Sequence, residues 1–355
     1  MIQVSNRRHD SCPLGTQAKT IRGLQQQGLT MVELLVALVI SLLIALAAIA
    51  ALTATRRGFS TVDAASQLRD NGRFTADLIQ RLAVQSGFKD VLYASKPATA
   101  AEVAANLAPN ITGFNNALSS ASDPLNAYTA RTTGVDGYGS DILILRNQLV
   151  QLNANSNRAD GSMIDCNGNS PTGTGSAPST RDERMASILH VAESPSGSGE
   201  LALMCSTVTS AGTISPKPQP IIQGVENFQV LYGIDGFTTV NTQFTGAQDS
   251  VPDRYLRADQ LVVGGVTDSA ATNSNWRRVR SLRIGMVLRG PPNSVQNSVA
   301  QTYYPFGSAK SSDTAIAGSA MSSADDPGTI FTAPADGRLR QVVTFTVHLR
   351  NDQGL

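Results

Sequence analysis

The hydrophobic pattern changes character twice along this chain. Leu34 to Leu52 is apolar on every side but for Ser41, with one carboxylate, Glu33, at its amino-terminal edge. About 20 apolar residues suffice to cross a bilayer, so the segment at about 31–52 reads as a transmembrane candidate. A carboxylate beside lipid is costly and by default functional. Beyond residue 53 the apolar positions thin out. Phe59, Val62, Ala65, Leu68, Gly72, Ala76, Ile79 and Leu82 recur at steps of three or four, the signature of one helix face. Charged residues such as Arg69, Asp70, Arg73 and Arg81 fill the other sides. Together these stretches predict one helix from Leu29 to about Phe88, stopped near Gly87. At 1.5 Å per residue it is on the order of 90 Å long. Packing of its second half on the chain's own sheet is favoured over a coiled coil, because the repeat is imperfect and contains Gly58 and Gly72.

After the helix the period drops towards two. Residues 89–140 are rich in Ala, Asn, Ser and Thr with weak periodicity, and read as a long connection with little regular structure. Strand-like runs follow at Asp141–Arg146, Ser187–Ala192, Leu201–Cys205, Val225–Ile234, Val279–Leu288 and Val342–Leu349. The second and third are joined by the turn-rich Ser194–Gly199 and are predicted neighbours. Low-complexity loops separate the rest at Asn167–Thr180, Thr238–Arg254 and Pro291–Gly337. Strands after a long helix, without β-α alternation, predict an α+β fold with antiparallel sheet.

Composition narrows the function classes. Of 355 residues, 28 are basic and 27 acidic, so bulk charge does not point to a nucleic-acid partner. Aromatic residues make up only 5%, which suits a modest core and much loop surface. A secretory signal is cut after its apolar region. Here the best cut site, Gly28, lies before it, and the apolar segment is retained. The basic leader favours an orientation with residues 1–28 in the cytoplasm, although Arg56 and Arg57 on the far side weaken the bias. Cys12 lacks the preceding apolar run of a lipoprotein signal.

The junction Gln25-Gln26-Gln27-Gly28-Leu29-Thr30-Met31-Val32-Glu33 resembles the class III-like cleavage motif of type IV prepilins and type II secretion pseudopilins. Further segments are similar to the PilW family of minor pilins. They are Leu68-Arg69-Asp70-Asn71-Gly72-Arg73-Phe74, Gln85-Ser86-Gly87-Phe88, Val225–Asp235 and Val343–Asn351. The resemblance covers nearly the whole chain after Gly28. It implies a pilin-like fold, with a long amino-terminal helix packed on an antiparallel sheet head with long loops. It implies three regions: a leader, 1–28, that is removed; the helix, 29–88; and a periplasmic or extracellular head, 89–355. It departs from many pilins in having Leu29 where phenylalanine is common, Ala50 where a proline often kinks the helix, and a longer leader. A start later than Met1 is compatible with the last.

What the resemblance implies chemically centres on three residues. An inner-membrane prepilin peptidase cuts between Gly28 and Leu29 and methylates the Leu29 amine. Glycine lets an extended peptide enter a tight protease site. Glu33 then pairs with the Leu29 amino group of a neighbouring subunit, because a carboxylate in an apolar setting needs a compensating charge. The implied partners are other minor pilins, the major pilin, a pilus tip adhesin and the inner-membrane assembly platform. The implied place is the inner membrane before assembly and the pilus afterwards. The leader takes four basic residues and one acidic residue with it, leaving a net charge of −2. It also takes Cys12, which leaves Cys166 and Cys205 as an even pair. In an oxidising compartment they form one disulfide, worth roughly 4 kcal/mol in the chain-entropy model; in a reducing cytosol they stay two thiols.

No cofactor and no catalytic set is read here. His190 and His348 both lie in strand-like runs, and phosphate-loop and nucleophile-elbow patterns are missing from the sequence. Asp160, Asp165, Asn167 and Asn169, or Asp325 and Asp326, offer oxygen ligands for calcium, but neither group fits an EF-hand loop and both read as solvated loops. The alternatives to a minor pilin are a type II secretion minor pseudopilin and, from another class, a single-span periplasmic sensor or binding protein.

Overall fold

The computed structural model describes residues 28, 30–153, 158–170, 172–176, 180–197, 199–215, 217–238, 242–243, 248–295, 299–307, 328–351 and 353–354. The chain divides into two compact units, Met1–Arg56 and Arg57–Leu355. Helix α1 spans Met31–Gln85, so its residues through Arg56 belong to the first unit and the remainder to the second. Gly87 follows with φ +78°, a backbone conformation that favours glycine, and its N–H donates to Arg146 O at 2.9 Å. Asn351, near the other end of the chain, donates to the carbonyls of Val84 and Ser86 at 3.0 and 3.1 Å.

Short helices α2 (Val91–Ala94), α3 (Ala100–Ala104) and α4 (Ala270–Trp276), a 3-10 turn at Asp259–Leu261 and fifteen strands complete the described elements. The strands are β1 (Ile111–Phe114), β2 (Ala117–Ser119), β3 (Tyr128–Ala130), β4 (Ile142–Asn147), β5 (Arg158–Asp160), β6 (Thr172–Ser176), β7 (Met185–Glu193), β8 (Leu201–Val208), β9 (Gln219–Gln223), β10 (Val225–Ile234), β11 (Arg254–Leu256), β12 (Val279–Arg289), β13 (Gln301–Tyr303), β14 (Phe331–Ala333) and β15 (Arg340–His348). They build a five-stranded sheet, β1-β4-β7-β8-β9, and a four-stranded sheet, β11-β10-β12-β15, with three two-stranded pairs: β2 with β3, β5 with β6, and β13 with β14. Every pairing is antiparallel, so the fold class is α+β.

The chain passes from one large sheet to the other through a single residue, Gly224, between β9 and β10. Its φ is +82°, and a Cβ there would lie 2.4 Å from Arg289 O. Only glycine turns this corner without displacing β12. A second link lies just before β4, where Asp141 N donates to Phe228 O at 2.7 Å and Asp141 Oδ2 accepts from Val230 N at 2.8 Å.

The main core lies among the second half of α1 and both large sheets. Leu68, Ile79 and Leu82 pack with Leu143, Leu189, Leu203, Val230, Ile284 and Met286. On the opposite face of β4, Ile142 and Ile144 join Ala117, Ala186, Ile188 and Val208 in a smaller cluster. The run Ile142-Leu143-Ile144-Leu145 is continuously apolar because it is buried on both faces.

Two expectations are refined here. Most of residues 89–140 is irregular, as expected, but they also supply α2, α3, the edge strand β1 and the β2–β3 pair. Their periodicity is weak because the strands are only three or four residues long. They add only a few apolar side chains to the second cluster, such as Phe114, Ala117 and Leu125. The buried face of α1 is largely the expected one, sharing Leu68, Gly72, Ile79 and Leu82 with it, but it begins later along the helix. It runs through Ala64, Leu68, Gly72, Thr75, Ile79, Leu82 and Ala83, while Phe59 and Val62 are 71% and 69% exposed.

Candidate assembly and processing site

The first described residues of α1 form a capping box. Thr30 N and Thr30 Oγ1 each donate to Glu33 Oε2 at 3.0 Å, and Glu33 N donates to Thr30 Oγ1 at 3.3 Å. The arrangement satisfies backbone donors that a helix start leaves unpaired. The Thr30-x-x-Glu33 spacing carries this signal in the sequence, but the adjoining apolar run draws attention to an ionic partner for Glu33 instead. Within the isolated chain, Thr30 holds the carboxylate.

Gly28 is exposed, and a Cβ added there would meet nothing within 4 Å. Packing among the described residues therefore does not require a glycine at this position. Leu29, the expected methylation position, lies outside the described residues, as does Cys12. Downstream of Glu33 the side chains of Leu34, Leu38, Leu42, Leu46 and Ile49 are all more than half exposed. This part of α1 is long and apolar enough to cross a membrane and is unburied in the chain itself.

In the head, Cys166 and Cys205 form a disulfide with a Cα–Cα distance of 5.7 Å, and both residues are buried. The bond ties the loop after β5 to β8, the strand beside β7 in the five-stranded sheet.

Residues 188–351 match the family described as type IV pilus-assembly protein W, PilW, and residues 24–49 match the prokaryotic N-terminal methylation motif. Over residues 188–351 the chain is similar to the PilW family, and its start carries the methylation motif of prepilins. The methylation-motif match brackets Gly28, Leu29, Thr30 and Glu33, and the PilW match takes in β8, β10, β12 and β15. Members of the pilin superfamily are structural proteins of a fibre, and an apolar helix behind a prepilin motif suits anchoring in the inner membrane. A type IV-like pilin from Thermus thermophilus is similar in structure over 81% of this chain and 99% of that one, at 15% identity and a TM-score of 0.37. Comparison with curated protein sequences gave no match.

The two histidines of the head stand apart. His190 is buried in β7, with Nε2 3.2 Å from Ser206 Oγ. Burial pushes its pKa down to about 4, and the nearby Arg131 guanidinium acts in the same direction. His348 is exposed on β15, opposite Ser281 of β12. The oxygen ligands weighed for calcium serve local turns. Asp165 Oδ1 accepts from Asn167 N and Asn169 N, both at 2.9 Å, and Asp160 Oδ1 accepts from Ser162 N at 2.8 Å. Asp325 and Asp326 lie outside the described residues.

Sequence reasoning missed a buried ion-pair network. Glu226 of β10 accepts from Arg340 of β15 at 2.6 and 3.0 Å and from Arg289 of β12 at 3.1 Å. Glu200 bridges Arg289 and Arg338 at 2.8 and 2.7 Å, and Asp336 pairs with Arg340 at 2.6 Å. The sequence clue is a charged residue at or near an end of each of three apolar strands, which local periodicity does not join.

Proposed function

We propose that this chain is a structural minor pilin of a type IV pilus. It is cut after Gly28 by a prepilin peptidase, methylated on the Leu29 amine, and incorporated into a priming or tip complex that starts the fibre. Before assembly it spans the inner membrane once, with its head in the periplasm. Afterwards its helix lies in the fibre with other minor pilins and the major pilin, near a tip adhesin and above the assembly platform. The observation that carries this reading is the start of α1. A glycine that packing among the described residues does not need is followed by a single carboxylate at the mouth of an apolar helix that the described residues leave uncovered. In this reading the Thr30 cap holds Glu33 until the amine of an adjacent subunit takes over, so a subunit in the wrong register leaves charges unpaired.

Mass spectrometry of the amino terminus in membrane and sheared-pilus fractions tests it. The expected species begins at Leu29 and is heavier by one methyl group. Recovery only of protein that retains residues 1–28, or its absence from sheared pili, overturns the reading.

A further inference from the structure

The two large sheets end in four edge strands, and three of them are blunted. β1 has four residues and contains Gly113, β9 has five and contains Pro220, and β11 has three and opens on Arg254. Short length, proline and charge are the usual means of keeping a free edge from pairing. β15 lacks all of these over most of its length. It runs for nine residues, and Gln341 to Val347 carries no charge, proline or glycine. Arg340, at its start, is turned into the ion-pair network with Glu226 and Asp336.

The direction of each backbone group in β15 follows from its pairing with β12. Leu349 N donates to Arg280 O at 2.9 Å, continuing the register in which Val347, Phe345 and Val343 stand opposite Leu282, Ile284 and Met286. Antiparallel pairs alternate between bonded and non-bonded. These three residues therefore turn their N–H and C=O towards β12, and Val342, Thr344 and Thr346 turn theirs outward. Among the described residues no hydrogen bond ends on those outward groups. Thr344 and Thr346 are exposed and Val342 is half-buried, so a partner can reach them. Side chains alternate as well. Val343, Phe345 and Val347 lie on the side of the main core, where Val343 meets Gly72 of α1, and Val343 and Phe345 are only partly buried. Thr344 faces the other side, where its Oγ1 donates to Pro305 O at 2.5 Å.

We propose that the outer edge of β15 is a docking site for an extended segment of another polypeptide, which adds one strand to the four-stranded sheet. Backbone donors and acceptors at two-residue spacing select an extended partner. The partly buried Val343 and Phe345 select apolar side chains at alternate positions on the core side, and the lack of charge from Gln341 to Val347 selects an uncharged segment. A second copy of the chain fits less well. Pairing that keeps both apolar sides together would bring a second α1 onto the same face, held against its own Val343. Strands lie about 4.8 Å apart, whereas a helix with its side chains is about 10 Å wide, so the two helices would crowd each other. A lone strand brings no helix with it.

Binding of a strand peptide to the full chain in detergent micelles tests the edge. The probe is a dye-labelled peptide of residues Arg340 to Arg350, whose alternation matches the edge it meets. It is N-methylated at Val343, Phe345 and Val347, so that Val342, Thr344 and Thr346 supply the free N–H groups. Its fluorescence anisotropy is expected to rise saturably with protein. The same peptide methylated instead at Val342, Thr344 and Thr346 is expected to bind about tenfold more weakly. Thr346→Pro removes an outward N–H and leaves the bonds to β12 in place; it is expected to weaken the first peptide by about the same factor. Should circular dichroism show that variant unfolded, Thr346→Lys, which sets a charge at the edge, decides in its place. Absence of saturable binding, equal binding of the two peptides, or an unchanged affinity in the folded variant overturns the proposal. Sedimentation separates the occupants. Wild type and variant of one size support a foreign strand, while a dimer lost in the variant assigns the edge to a second copy and overturns the proposal. None of these readouts depends on the chain being a pilin.

Discussion

Gly72 of α1 lies directly against Val343 of β15: a Cβ built on the glycine would sit 2.7 Å from Val343 Cγ2, and 3.6 Å from Leu288 Cδ1 of β12. The contact sets how near the helix comes to the four-stranded sheet. Two effects oppose each other on Gly72→Ala. Alanine gains about 1 kcal/mol in helix propensity, while overpacking a tight interface costs about 1–3 kcal/mol. Val343 is β-branched and held in a strand, so overpacking dominates. The expected net loss is about 1 kcal/mol in urea unfolding, and adding Val343→Ala should relieve the clash and recover the helix gain. A Gly72→Ala protein more stable than wild type would show that the contact gives way easily.

Glu226 joins three strands through Arg340 and Arg289, and its side chain is 5% exposed. Removing one member of a buried pair leaves the other charges uncompensated, a cost of about 3–5 kcal/mol. Glu226→Ala is therefore expected to destabilise the head by about that amount. Glu226→Gln, which retains an acceptor, should cost less. Equilibrium denaturation of the two variants checks the ordering.

His190 makes folding stability depend on pH in a defined direction. Its folded-state pKa of about 4 lies below the ordinary value near 6.5, so between these values the unfolded chain binds the extra proton. Stability that is full above pH 6.5 is lost as pH falls towards 4. For this one group the loss between pH 7 and pH 5 is about 2 kcal/mol. Denaturation midpoints of wild type and His190→Gln at the two pH values isolate it, and parallel pH profiles would remove His190 as the cause.

Glu33 has two partners at different stages in the proposed cycle, Thr30 in the single chain and a neighbour's amine in the fibre. Glu33→Val is expected to be inserted and cut after Gly28 as in wild type, yet to be depleted several-fold from sheared pili. Amino-terminal mass spectrometry together with immunoblots of membrane and pilus fractions reads both steps. Wild-type levels in the pili would mean that the carboxylate does not select register.

Local pattern alone determined a good deal. The apolar run after Glu33 and the three- and four-residue steps beyond it mark α1, and period-two alternation marks β10, β12 and β15. The Gly28–Glu33 junction is legible because its residues are adjacent in sequence. Tertiary structure decided where the burial of α1 begins, since Ala64 is its first buried residue while Phe59 and Val62 stay exposed. It also decided that residues 111–130 cover the second face of β4, and that Glu226, Arg289 and Arg340 share one buried network. Periodicity records how a segment alternates between faces. Close approach and charge pairing depend on groups far apart in the chain, and these come together only when the sheets fold onto the helix.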